Sequence, residues 1–108
     1  MKKIAIVTGG GGFIGSHMVD LLISKEYKVR IIDNFSGGHK KNLSHLNKSN
    51  DIEVFEQDIN QLDKSSNIFK DVESVYHFAG IGDIVPSIEL PTDYLNTNVQ
   101  GTVKVLEL

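Results

Sequence analysis

The chain has 108 residues, a formal net charge of −3 and no cysteine. That length holds one small domain. The mild acidity excludes a general attraction to nucleic acid or to an anionic membrane, and the missing thiols exclude disulfides and thiolate metal sites.

Met1-Lys2-Lys3 and the apolar run behind it do not make a secretory leader, because the run breaks at Thr8 and the glycines. No stretch approaches transmembrane length. A cytoplasmic protein with no membrane or nucleic-acid partner is the expectation. Lys3 to Thr8 reads as a strand, its Ile4-Ala5-Ile6-Val7 run being of the kind buried on both faces of a parallel sheet. Glycines at 9, 12 and 15 follow, and then a helix over 13–25 with Phe13, Ile14, Met18, Leu21 and Leu22 on its apolar face. Lys28 to Ile32 is the second strand, stopped by Asp33-Asn34. Phe35 to Gly38 is a loop, and His39 to Leu46 holds a short, weak helix. Asp51 to Phe55 is the third strand, its alternation suiting a place near the sheet edge. A turn over 57–60 leads into a poor helix over 61–69 carrying Leu62, Ile68 and Phe69. Ser74 to Phe78 is the fourth strand, and a polar loop runs from it to Pro91. The last helix starts near Thr92 or Asp93 as N-cap and presents Tyr94, Leu95, Val99, Val103 and Leu106 as its apolar face.

Strands and helices therefore alternate four times. Such alternation predicts an α/β fold, a parallel sheet with helices on both faces. Right-handed crossovers make the expected strand order 3-2-1-4, the first half of a Rossmann-like doubly wound sheet. The final helix stops without a glycine cap or polar turn. Residues 1–108 thus read as the N-terminal half of a dinucleotide-binding domain, cut after the fourth helix, with any substrate domain absent.

The chemistry gathers at the carboxyl ends of the strands. A side-chain-free turn between strand and helix lets the backbone approach a phosphate, and the first-turn N–H groups and helix dipole favour its charge. Gly9 and Gly12 therefore read as a pyrophosphate cradle. No Gly-Lys-Ser/Thr follows, which disfavours an ATPase-type loop. Asp33 ends the second strand about twenty residues further on, where a carboxylate accepts hydrogen bonds from the adenosine ribose and repels a 2′-phosphate. That predicts NAD over NADP, although Lys40 and Lys41 stand close behind and suit the opposite preference. Asp58 either takes the adenine amine or forms an ordinary Asx turn. Phe78-Ala79-Gly80 ends the fourth strand, where small residues let a cofactor pass. His77 reads as structural rather than as a base. Ser87 touches ligand or shapes its loop, and Asn98 reads first as a buried hydrogen-bonding residue. The four histidines show no metal-ligand spacing, so no metal is expected.

Five stretches together resemble the extended short-chain dehydrogenase/reductase family, and within it the NAD-dependent nucleotide-sugar epimerases and dehydratases of UDP-glucose 4-epimerase type. They are Thr8 to Ser16, Asp33 to Gly38, Asp58-Ile59, His77 to Gly80, and Asn98 to Thr102. The resemblance implies NAD as cofactor, a nucleotide sugar as substrate, and oxidation at sugar C4 followed by re-reduction. It places Gly9, Gly12, Phe13 and Ile14 at the pyrophosphate, and Asp33 with Asn34 and Ser36 at the ribose. It places Asp58 and Ile59 at adenine, Phe78, Ala79 and Gly80 along the ribose and pyrophosphate, and Asn98 nearby. Gly82 stands where galactose epimerases of this type often carry a lysine.

The family's catalytic Ser/Thr and Tyr-x-x-x-Lys fall beyond Leu108, and Tyr27, Tyr76 and Tyr94 lack a lysine four residues on. The resemblance thus implies no catalytic residue here and an inactive isolated chain. A non-catalytic nucleotide sensor, an NADP-linked reductase fragment and a sugar dehydratase are the alternatives. The outer edge of the fourth strand is the expected surface for self-association.

Overall fold

The computed structural model describes residues 2–35, 38–46, 50–62, 67–79, 88–89 and 91–108. Four strands, β1 (Ile4–Thr8), β2 (Lys28–Ile32), β3 (Ile52–Phe55) and β4 (Val72–His77), form a wholly parallel sheet in the order β3-β2-β1-β4. The register pairs Thr8 with Ile32 on one side and His77 on the other, so the carboxyl ends of β1, β2 and β4 finish level. The Rossmann-like half-sheet that the alternation predicts is the observed fold.

Neighbouring residues of a strand point to opposite faces, and each face has its own core. Ala5, Val7, Val29 and Ile31 pack on one side with Val19, Leu22 and Leu43. Ile6 and Ile32 pack on the other with Ile59, Leu62 and Ile68, and Val105 and Leu108 lie against them. This explains the continuous apolar run of β1: with helical segments on both sides, no residue in its centre faces water.

Helix α1 (Phe13–Ser24) buries Gly15, Ser16, Val19 and Leu22. The apolar face expected from the sequence is therefore rotated, and Phe13 (77%), Ile14 (64%) and Leu21 (49%) are exposed. The two glycines and the serine among residues 12–16 let the helix sit close to the loop before it, so small residues rather than large ones mark the inward face. Lys25 is the C-cap rather than part of the last turn. The helix closes in a Schellman motif, with the Glu26 N–H donating to the Ile23 carbonyl and the Tyr27 N–H to Leu22. Glu26 takes the left-handed conformation there, at φ 65°.

The expected helix over 61–69 is not continuous: Leu62 is not helical, and residues 63–66 lie outside the described residues. Short 3-10 turns span Ile59–Gln61 and Asn67–Phe69. Asp58 accepts from the Asn60 N–H and starts the first turn, while the Arg30 guanidinium donates to the carbonyls of Ile68 and Lys70 and ties the second to β2. Local side-chain hydrogen bonds of this kind compete with a longer helix. The weak helix after residue 39 is a 3-10 segment, Lys40–Leu46. Strand β4 begins two residues before the expected Ser74 and ends at His77, leaving Phe78 beyond it.

Ile88 and Glu89 are helical, residue 90 lies outside the described residues, and the last helical stretch is described from Pro91. It runs as α2 (Pro91–Tyr94), a π segment (Leu95–Gln100) and α3 (Gly101–Glu107). Its expected apolar face is not buried: Leu95, Val99, Val103 and Leu106 are all exposed. The Tyr94 side chain lies outside the description. Among the described residues no helix is long and apolar enough to cross a membrane, and no group of three or more potential ligands could hold a metal ion.

Candidate functional site

The carboxyl ends of the strands open into a cleft of about 150 Å³. Gly9 and Gly12 form its floor; Ile32, Asp33 and Asn34 from the end of β2 form one wall, with Gly38 beside them. Gln57 to Asn60 come from the turn after β3, Phe78 and Ala79 from the end of β4, and Thr97 and Gly101 from the last helical stretch.

The glycine turn is fixed by contact with its surroundings. Gly9 has φ 70°, and a Cβ there would lie 2.8–2.9 Å from the backbone of Phe78 and Ala79. A Cβ on Gly15 would stand 2.1 Å from the Gly9 carbonyl oxygen, so the first turn of α1 rests directly on the loop. Gly12 differs from both. It is the N-cap of α1, in extended backbone at φ −79° and ψ 177°, and a Cβ would meet only the Gly9 oxygen, at 3.3 Å. Its bare side lines the cleft. The first i→i−4 bond of the helix runs from the Ser16 N–H to Gly12, so the helix's own pattern makes no use of the N–H groups of residues 13–15. Gly12, the N-cap residue, has no side chain to cap them. N–H groups left over at a helix N-terminus can receive an anion.

Asp33 is buried beside it. Its Oδ2 accepts from the Gly11 N–H at 2.8 Å and its Oδ1 from the Phe35 N–H at 2.7 Å. A carboxylate has about four acceptor positions, so each oxygen keeps one for a ligand hydroxyl. Asp33 can therefore hold its turn and accept from a ligand at once. The Gly11 carbonyl accepts from the His39 N–H and from Asn42 Nδ2, so the same glycine is held through both its backbone groups. Lys40 lies 3.2 Å from Glu56 and over the ring of Phe35, so a carboxylate already faces its charge.

The structure brings together around one cleft Gly9, Gly12, Asp33, Asn34, Asp58, Ile59, Phe78 and Ala79. Phe13 and Ile14 are not part of its lining; they follow Gly12 in the first turn of α1, with their side chains exposed. Asp58 forms the Asx turn and also lines the cleft. Asn98 is half-buried between the lining residues Thr97 and Gly101 and is not itself part of the lining. Ser36, Gly80 and Ser87 lie outside the described residues. Gln57, Asn60, Thr97, Gly38 and Gly101 line the cleft without having been singled out from sequence. The signal for Gly38 was available as a glycine at an unexplained loop position: a Cβ there would be 2.6 Å from the Gly11 backbone.

His77 is half-buried at the end of β4. Its Nδ1 lies 2.6 Å from Thr8 Oγ1 and its Nε2 3.0 Å from Thr102 Oγ1. Burial lowers its pKa below the usual 6.5, because an imidazolium loses hydration there. Both ring nitrogens are thus engaged by hydroxyls of the chain itself.

The GDP-mannose 4,6 dehydratase family model matches residues 6–108. A protein of Methanocaldococcus jannaschii provisionally named UDP-glucose 4-epimerase is 42% identical over 103 residues, covering 95% of this chain and 32% of its own length. The structure of UDP-N-acetylglucosamine 4-epimerase from Methanobrevibacter ruminantium M1, in complex with UDP-N-acetylmuramic acid, superposes with a TM-score of 0.87 at 38% identity. It covers 98% of this chain and 34% of that one. A dTDP-glucose 4,6-dehydratase from Streptomyces venezuelae with NAD and TYD bound superposes at 0.88 with 30% identity, covering 96% and 34%. The chain thus spans about a third of the length of the relatives it matches. With the parallel sheet, the glycine turn and the Asp33 wall in place, the chain belongs to the GDP-mannose 4,6 dehydratase family, among the nucleotide-sugar epimerases and dehydratases of the extended short-chain dehydrogenase/reductases.

Proposed function

We propose that this chain is the NAD-binding part of a nucleotide-sugar 4-epimerase. One observation carries the reading: the uncapped first turn of α1 and the Asp33 carboxylate face the same cleft, separated by a bare Gly12. The residues present fit the dinucleotide. The N–H groups of Phe13 and Ile14 hold the pyrophosphate over Gly9 and Gly12, with the helix dipole adding about 0.3–1 kcal/mol. The free acceptor positions of Asp33, with Asn34 and Ser36, take the ribose hydroxyls. Asp58 and Ile59 flank the adenine, and Phe78, Ala79 and Gly80 pass the middle of the cofactor, with Asn98 behind them.

Bound NAD⁺ supplies a hydride acceptor for C4 of the sugar, and the return of that hydride to the other face inverts the carbon. The chain's own share is to orient the cofactor. It holds no Tyr-x-x-x-Lys pair, so by itself it turns over no nucleotide sugar. Epimerases stand among the relatives beside a dehydratase, and the two share this cofactor site. The epimerase reading is preferred because the most similar relatives named above carry that description.

Asp33 and the Lys40–Glu56 pair both favour NAD over NADP. A 2′-phosphate would meet the buried carboxylate, and Lys40, one of the two lysines that could receive it, faces Glu56. Calorimetric titration of the chain with NAD⁺ and NADP⁺ tests this. Binding of NAD⁺ with clear preference over NADP⁺ is expected; equal affinity, or preference for NADP⁺, overturns the role given to Asp33.

A further inference from the structure

Thr8, at the end of β1, is fully buried, and its hydroxyl lies at one end of a polar chain that crosses the site. Starting from the Thr102 hydroxyl, one assignment of protons satisfies every contact in that chain. The Thr102 hydroxyl donates its single hydrogen to the Asn98 carbonyl, at 2.7 Å. Its oxygen, 3.0 Å from His77 Nε2, therefore accepts, and Nε2 carries the imidazole proton. A neutral imidazole has one N–H, so Nδ1 is an acceptor, and the Thr8 hydroxyl at 2.6 Å donates to it. The Thr8 oxygen in turn accepts the Ala79 N–H at 3.1 Å. The sequence runs Ala79 N–H to Thr8, Thr8 O–H to His77, His77 N–H to Thr102, Thr102 O–H to Asn98. The lowered pKa of His77 keeps it in the neutral form this order requires.

The two ends of the chain sit in the two walls of the cleft. Ala79 is part of the wall against which Gly9 is packed. Asn98 lies in the π segment, between the lining residues Thr97 and Gly101. π turns are irregular and tend to mark functional positions, and this one has no buried residue of its own. We propose that His77 is a positioning residue of the dinucleotide cleft: as the Nε2–H imidazole it joins Thr8 to Thr102 and so fixes the Thr97–Gly101 wall opposite the Ala79 wall. The inference rests on the dinucleotide reading given above for what the cleft holds, and on geometry alone for the relay.

Two measurements on the 108-residue chain test it. The first is nitrogen-15 NMR of the His77 imidazole. The Nε2–H is expected to exchange slowly with water in the unsubstituted chain and rapidly in Thr102→Val; a proton on Nδ1, or rapid exchange in both, overturns the relay. The second is NAD⁺ affinity. Thr102→Val weakens it about 2- to 10-fold, the range one lost hydrogen bond gives, and Thr102→Ser restores it. In a His77→Gln background the Thr102→Val change has a smaller effect than alone, because the link it breaks is already altered. Unchanged affinity in a folded Thr102→Val, or equal effects in both backgrounds, overturns the positioning role. Should Thr102→Val fail to fold, the Thr102→Ala and His77→Gln pair is read in the same way. If the unsubstituted chain binds no NAD⁺, the functional reading fails and the positioning role with it, while the imidazole spectrum still decides whether the relay exists.

Discussion

Helix α1 and the stretch from Pro91 to Glu107 lie on opposite faces of one sheet, and they are held by different forces. Helix α1 is regular, seats Val19 and Leu22 in the core, and rests its first turn on the Gly9 carbonyl. The later stretch is broken by a π segment, buries only Gly101 among its described residues, and leaves Leu95, Val99, Val103 and Leu106 facing outward. Apolar packing fixes the first. For the second, single polar links matter more: Thr102 to His77, and Asn60 Nδ2 to the Asn96 carbonyl at 2.9 Å. The N-cap of the first, Gly12, and residues Thr97 and Gly101 of the second line the same cleft. The glycine turn is therefore held by close packing, and the facing wall is tied by a few hydrogen bonds.

Truncation mutants break this comparison most strongly. Leu22→Ala should cost about 2–5 kcal/mol, the range for a buried leucine. Leu106→Ala, at a side chain 81% exposed, should change stability by no more than about 0.5 kcal/mol. Urea unfolding of both variants checks this, and similar losses would mean that the outer face of the last helix is covered in solution. A smaller effect is expected at the end of α1. Glu26 pays a left-handed penalty that glycine does not, so Glu26→Gly should raise stability by up to about 1 kcal/mol; a loss would show that the Schellman turn is not formed.

The smallest effect concerns pH. The pKa of His77 is lower in the folded state than its unfolded value near 6.5, so below that value the unfolded chain binds the extra proton. The histidine's contribution is present above pH 6.5 and is lost as pH falls from there through the lowered folded pKa. Urea midpoints measured across that window should drop more steeply for the unsubstituted chain than for His77→Gln. Parallel slopes would contradict the buried neutral imidazole.

The glycine turn, β1, β2 and the strand order were legible in the sequence because their causes are local: an apolar run, a turn without side chains, and one consistent crossover hand. Asp33 was legible from its distance to the glycines. The face of α1 was not, because its inward side is marked by Gly15 and Ser16 rather than by large residues. The last helix misled for a related reason. Periodicity shows that Leu95, Val99, Val103 and Leu106 share a side, not that anything in this chain covers it. The Thr8–His77–Thr102 relay joins residues 69 and 25 positions apart, and only the parallel register of β1 with β4 brings them together. Gly38 likewise owes its bareness to Gly11, far away in sequence.

The central claim is that the uncapped first turn of α1 binds the cofactor's phosphates, and Gly12→Ser addresses it directly. The N-cap backbone there accepts an L residue, and a serine oxygen would take the N–H groups meant for phosphate while changing helix stability by only a few tenths of a kcal/mol. The account predicts a chain as stable as before whose NAD⁺ affinity falls at least about tenfold, a difference of roughly 1.4 kcal/mol. A folded Gly12→Ser chain that binds NAD⁺ as tightly as the unsubstituted one would contradict it.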